Sequence, residues 1–247
     1  MPKNNYKLTI KYDGTDFCGW QSQSNGQSVQ NKIESALKII FKNQDINLIA
    51  SGRTDAGVHA CGQVANVKIK TDMSSSEFRK ALNGNLCNSI FVSECDIVED
   101  DFHARFSAVK RRYEYAIVKK YTPFRRKYYW NVNCKGLNEQ KLRDCASLIL
   151  GEHDFTNYSK KNPDIDNKIC HIYTSKWMFL SDKLVYVIEA NRFLHHMVRY
   201  LVGTMIEVSK SNISINDFTL NLNPDNKKNN IFKAPSIGLF LDRVFYD

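Results

Sequence analysis

The feature that most constrains the fold is the order in which hydrophobic periodicity changes along the first half of the chain. Tyr6 to Tyr12 alternates with a period of two, as a half-buried strand does. Val29, Ile33, Leu37, Ile40 and Phe41 then recur at helical spacing behind Ser28, which predicts a capped helix to about Lys42. Strand segments follow at Asn47 to Ser51 and Gln63 to Ile69. Ser74-x-x-Glu77 has capping-box spacing and opens a short helix with Phe78, Ala81 and Leu82 inward, ending near Gly84, and Ile90 to Val98 supplies another strand. Strand, helix, strand, strand, helix, strand is the order of the ferredoxin-like split βαβ unit.

The second half repeats that plan with less regular spacing and no convincing sequence identity to the first. Arg111 to Val118 reads as a strand and Tyr128 to Val132 as a short extra one, while Leu142, Cys145, Ala146 and Ile149 define a helix that stops at Gly151. Lys168 to Leu180 and Leu184 to Ala190 form a hairpin across Ser181-Asp182-Lys183. Leu194, Met197, Val198, Leu201, Met205 and Val208 mark the longest amphipathic helix, and Gly238 to Tyr246 closes the chain with a strand. Residues 13–27, 157–167 and 221–230 are polar and punctuated by Gly or Pro, hence loops. The fold class expected is α+β, divided at 1–108 and 109–247.

Chemistry is expected at Ala50 to Asn66, where an apolar strand runs into a turn carrying Arg53, Asp55 and His59, with Gly52 and Gly57 permitting backbone angles that other residues resist. An Asp beside Gly either shapes the bend or supplies an anion there, and the residue types alone leave both readings open. The same holds for Arg192, His196 and Arg199, which fall at i, i+4 and i+7 and would form one polar stripe on a helix. That stripe is either a solvated basic face or the source of a cation for the site. His59 and His103 are equally open between RNA contact and structural hydrogen bonding.

Charge narrows the partner. The chain carries 35 Lys and Arg against 26 Asp and Glu, a net charge of +9, which suits an acidic partner such as nucleic acid. Residues 110–127 concentrate this, with Lys or Arg at 110, 111, 112, 119, 120, 125, 126 and 127 against the single acid Glu114, and with aromatics interleaved. Phosphate contact combined with base stacking needs such a mixture. Seven cysteines without a Cys-x-x-Cys predict buried thiols in a reducing compartment. The six histidines offer no zinc spacing, and no metal or cofactor is expected. No apolar run reaches membrane-spanning length and no signal-type core opens the chain, so a cytoplasmic location is expected.

Gly-Arg-Thr-Asp-Ala-Gly-Val-His-Ala at 52–60 resembles the signature of the tRNA pseudouridine synthase A family. The likeness extends, in order, to Tyr12-Asp13-Gly14-Thr15, Gly19-Trp20-Gln21, Ser28-Val29-Gln30, Asp101 to Ala108 with Arg112 and Tyr113, Gly151 to Thr156, Ala190 to Phe193, His195 to Arg199, Gly203, Ala234-Pro235 and Gly238-Leu239. The chain departs from the common pattern at Ser22 and at Ser236-Ile237. The resemblance implies two ferredoxin-like subdomains sharing an extended, mainly antiparallel sheet with a central active-site cleft. It implies an isomerase that turns uridines 38, 39 and 40 of the tRNA anticodon stem-loop into pseudouridine. Asp55 is then the nucleophile, Arg199 its partner, and Tyr113 the residue that stacks on uracil and serves as general base. Arg53 helps hold the extruded nucleotide, whose unstacking costs roughly a few kcal/mol. Arg111, Arg112, Arg125 and Arg126 contact tRNA, Leu239 and Leu241 pack near the site, and the enzyme is a homodimer. A non-catalytic RNA-binding protein on the same scaffold is the rival class. An aspartic-protease-like hydrolase is excluded, because that chemistry needs two carboxylates sharing a proton and only one such site exists.

Overall fold

The first strand, β1 (Lys3–Tyr12), turns Tyr6, Leu8, Ile10 and Tyr12 to one side, each of them buried, and Lys7, Thr9 and Lys11 to the other. The computed structural model describes residues 3–22, 26–42, 44–134, 136–163, 165–226 and 230–247. Residues 23–25, 164 and 227–229 of the three expected loops therefore lie outside the described residues. The chain forms two units, Met1–Val109 with Phe240–Asp247, and Lys110–Leu239.

In the first unit, β1 is followed by α1 (Val29–Ile40), β2 (Ile49–Ala50), β3 (His59–Lys70), α2 (Ser75–Asn85) and β4 (Ile90–Val98). β1 pairs antiparallel with β3 and β4, and β2 pairs antiparallel with β3. The order β4-β1-β3-β2 is that of the ferredoxin-like sheet. Ser28 caps α1 through Asn31 N–H, and the Ser74–Glu77 box caps α2. Val29, Ile33 and Leu37 of α1 and Phe78 and Leu82 of α2 are buried, and Phe78 stacks on Tyr6 at 4.1 Å between ring centres. β3 starts at His59, four residues earlier than its apolar pattern suggests, since Cys61 breaks the alternation while the backbone still pairs.

Two buried amides fasten the segment after β4. Asn66 Nδ2–H donates to Asn5 Oδ1, Asn5 Nδ2–H donates to the carbonyls of Glu99 and Phe102, and Ala104 N–H donates to Asn66 Oδ1, at 2.9–3.0 Å. Tyr246 OH adds a bond to Ala104 O from β10 (Leu239–Tyr246). β10 pairs parallel with β3 at Phe240–His59 and Leu241–Ala60. Phe240–Asp247 of the closing strand is grouped with the first unit.

The second unit holds β5 (Ala108–Val118), β6 (Trp130–Asn131), α3 (Glu139–Leu148), β7 (Gly151–Asp154), β8 (Ile169–Phe179), β9 (Lys183–Ala190), α4 (Met197–Ser209) and α5 (Ile215–Leu220). Its strands run β5-β9-β8-β7, all antiparallel, with β6 parallel to β5. The order β5, α3, β8, β9, α4, β10 along the chain repeats that of the first half, and the fold class is α+β with mostly antiparallel strands. Two elements differ from expectation. The α3 helix stops before Gly151 as expected, but Gly151, at φ 87, starts a strand, β7, that was not expected. α5 lies unannounced, although Ser214 and Asp217 form a capping box at its start. Of the cysteines expected to be buried, only Cys145 and Cys170 are, while Cys61 and Cys87 are exposed. Among the described residues no helix is long and apolar enough to cross a membrane.

Candidate active site

In the first unit the Asp55 turn is built by its neighbours. Asp55 O accepts from Val58 N–H at 3.2 Å, and Gly57 sits at φ 75, which the third position of a type II turn requires. From outside, Gly57 N–H donates to Phe17 O and Trp20 N–H donates to Thr54 O. Gly19, at φ 110, brings its backbone so close that a Cβ there would lie 2.6 Å from Thr54 O. Gly14 is packed tighter still, since its Cβ would fall 2.0 Å from Val58 O. The glycines of the Asp-Gly-Thr and Gly-Trp-Gln motifs are there because the 13–20 loop lies directly on the turn.

Side chains complete the support. Tyr12 OH and Thr54 Oγ1 are 2.8 Å apart and buried. Burial pushes the Tyr12 phenol well above its ordinary value, so it stays neutral and the bond is independent of pH across any ordinary assay range. Gln63, fully buried, accepts from Ser51 Oγ–H at 2.7 Å and donates to Gly52 O at 2.9 Å, holding the entry to the turn. His59 is 1% exposed, its Nδ1 3.1 Å from the Gly14 N–H it accepts from and 3.2 Å from Asp13 Oδ1, and its ring stacks on Phe240 at 4.7 Å. It is a brace, not an RNA contact. With Thr54 buried between them, Arg53 is left exposed and Asp55 half-exposed. His103 Nδ1 accepts the N–H groups of Arg105 and Phe106, a structural use as well.

In the second unit Tyr113 lies on β5 on the same face as Arg111 and Tyr115, half-buried and edge-on to Phe193 with ring centres 5.0 Å apart. Arg111 Nη1–H donates to Asn191 O, while Arg112, on the other face, pairs with Glu114 at 2.9 Å. Arg125 pairs with Asp182 at 2.6 Å, and Arg126 is exposed. The expected helical stripe of Arg192, His196 and Arg199 does not form. His196 takes a left-handed φ of 65 and is the N-cap of α4, so Arg192 and His196 precede the helix and only Arg199 is on it. α4 is also buried nearly all round, with Arg199, Tyr200 and Glu207 its half-exposed positions.

What places Arg199 is a strap at 232–235 that spacing did not reveal. Arg199 Nε–H donates to Ala234 O and Ala234 N–H donates to Arg199 O, both at 2.9 Å, which fixes the guanidinium plane. The strap passes so near α4 that a Cβ on Gly203 would be 2.4 Å from Phe232 O. Tyr115 OH donates to Pro235 O at 2.8 Å, and a Cβ on Gly238 would be 2.6 Å from Ala116 O. Within this unit the strap therefore ties the Arg199 helix to the Tyr113 strand, which accounts for Gly203, Ala234-Pro235 and Gly238 physically. Chemically, the first unit offers a carboxylate on a rigid, accessible turn. The second offers a held guanidinium and an accessible phenol.

The profile of a protein family described as tRNA pseudouridine synthase matches residues 8–107 and 145–247. A tRNA pseudouridine synthase A of Dictyoglomus thermophilum is 39% identical over 246 residues, covering 98% of this chain and 99% of the relative. That of Chlorobium limicola is 40% identical over 245 residues, covering 98% and 99%. That of Bacillus subtilis is 36% identical over 244 residues, covering 98% of each.

Proposed function

The chain belongs to the tRNA pseudouridine synthase A family, a family of isomerases, and from that membership we propose how its own residues make pseudouridine in tRNA. The Asp55 carboxylate is the nucleophile that acts as the N1–C1′ bond of uridine breaks. The freed uracil turns, C5 bonds to C1′, and the C5 proton leaves while N1 gains one, so the product is an isomer and no redox partner or leaving group is consumed. Tyr113 stacks on the base and takes the C5 proton directly or through water. Arg199 is the cation that pairs with the Asp55 carboxylate.

Around this centre, Arg53, Arg111, Arg112, Arg125 and Arg126 bind the tRNA, and the targets are uridines 38, 39 and 40 of the anticodon stem-loop. The enzyme works as a cytoplasmic homodimer with tRNA lying across both subunits, and its subdomains divide near residue 108. The observation that carries the reading is the Asp55 turn, rigidly supported by Gly14, Gly19, Tyr12, Gln63 and His59 while its carboxylate stays accessible. A residue that only shaped the bend would need no such scaffold. Mapping pseudouridine in cellular tRNA with and without this gene tests it. Loss of the modification at positions 38, 39 and 40 is expected, and an unchanged map overturns the reading.

A further inference from the structure

We propose that Phe124, presented with Arg126 and Lys127 beyond the end of β5, is a platform on which an unpaired base of the tRNA stacks, separate from the Tyr113 contact. The identity of the RNA rests on the pseudouridine-synthase reading; the platform itself rests on geometry and charge. Phe124 is 93% exposed, the most exposed large hydrophobic side chain among the described residues. Tyr121, three residues earlier, is 56% exposed.

The segment that carries Phe124 is held in place. Pro123 sets the backbone at the start of the 3-10 turn Pro123–Arg125, and Tyr128 N–H donates to Arg125 O at 3.1 Å. The turn between β8 and β9 anchors both sides of it: Asp182 Oδ2 pairs with Arg125, and Asp182 O accepts from Lys119 N–H at 3.1 Å. The hydrogen bond from Arg125 holds the Asp182 carboxyl below its ordinary value, so this anchor stays ionised at neutral pH. Arg125 also lies over the Tyr129 ring at 5.5 Å. Arg125 thus steadies the turn whose tip is Phe124.

Charge selects the occupant. Residues 119–129 contain five Lys or Arg and no acid. Protein interface cores are depleted of charged side chains, whereas single-stranded nucleic acid is bound by aromatics set among cations. Tyr113 is five residues before Val118, about 17 Å along an extended strand, so a base on Phe124 is not the target uridine.

Filter binding of a tRNA transcript to the full chain over a salt series tests this. Phe124→Ala should weaken binding about tenfold at every salt concentration, Phe124→Trp should restore it, and Phe124→Leu should not, because stacking needs a π-face. The slope of log affinity against log salt should stay that of wild type for Phe124→Ala, yet become shallower by roughly 0.7–0.9 for Arg126→Ala. KM should rise more than kcat falls, with the melting temperature unmoved. Wild-type affinity in Phe124→Ala overturns the proposal, as does equal binding by the Leu and Trp variants. A shift to a smaller species in light scattering also overturns it, by assigning the surface to a second copy. Failure of the pseudouridine reading shows separately, as wild-type protein that binds tRNA and releases no C5 hydrogen.

Discussion

Replacing Gln63 by Leu tests whether the Asp55 turn owes its geometry to buried polar support. The two side chains are close in volume, but Leu has neither the acceptor for Ser51 Oγ–H nor the donor for Gly52 O. Both groups would lose this partner beside a fully buried position. At about 1–2 kcal/mol for each lost bond, since Gly52 is only half-buried, the loss is about 2–4 kcal/mol. For a chain of this length that lowers the melting temperature by about 5–15 °C. The variant should still fold at 25 °C, because native stability is typically about 5–15 kcal/mol. Its kcat should fall by up to about a hundredfold, since a small displacement of a reacting group is enough for that, while tRNA affinity changes little. Thermal melts, single-turnover kinetics and filter binding measure the three quantities. Gln63→Glu adds a check of sign: a neutral carboxylic acid can donate to Gly52 O and a carboxylate cannot. Burial raises the folded-state pKa of that Glu, so its stabilisation is fully present below the unfolded value of about 4.3 and lost as pH rises through the folded value. A Leu variant with wild-type stability and kcat would refute the reasoning.

Asn66→Leu should destabilise by about 2–4 kcal/mol, because Asn5 Oδ1 and Ala104 N–H both lose their partner, and denaturant melts will show it. Gly203→Ala should lower kcat, since the added methyl meets Phe232 O at 2.4 Å and displaces the strap that orients Arg199; near wild-type kinetics would remove the strap from the account. Binding of tRNA should weaken steeply with salt through counterion release, in a titration from low to physiological ionic strength. Light scattering should give a dimer, and a fully active monomer would refute binding across two subunits.

The elements with clean periodicity and a cap were legible in the sequence. Ser28 and Ser74 mark their helices because an N-cap is a local event, and the alternation of β1 is local too. α4 was legible as a helix but not at its start. Nothing in the order Phe193-Leu194-His195-His196 announces that His196 turns left-handed, so the expected polar stripe dissolved. β7 was hidden behind a glycine read as a stop, and α5 behind a capping box with Asp in place of Glu. At the site, the Gly-Arg-Thr-Asp motif named Asp55, whereas the roles of Gly14, Gln63, His59 and the strap depend on segments far apart in the chain. Spacing carries no record of such contacts.

The central claim is that Asp55 does chemistry. Asp55→Asn keeps the size of the side chain and its tolerance of the bend but not the anion. Release of tritium from C5-labelled uridine in tRNA reports turnover, and filter binding on the same protein reports affinity. The account predicts no detectable release with tRNA binding nearly intact. Near wild-type release from Asp55→Asn would contradict it.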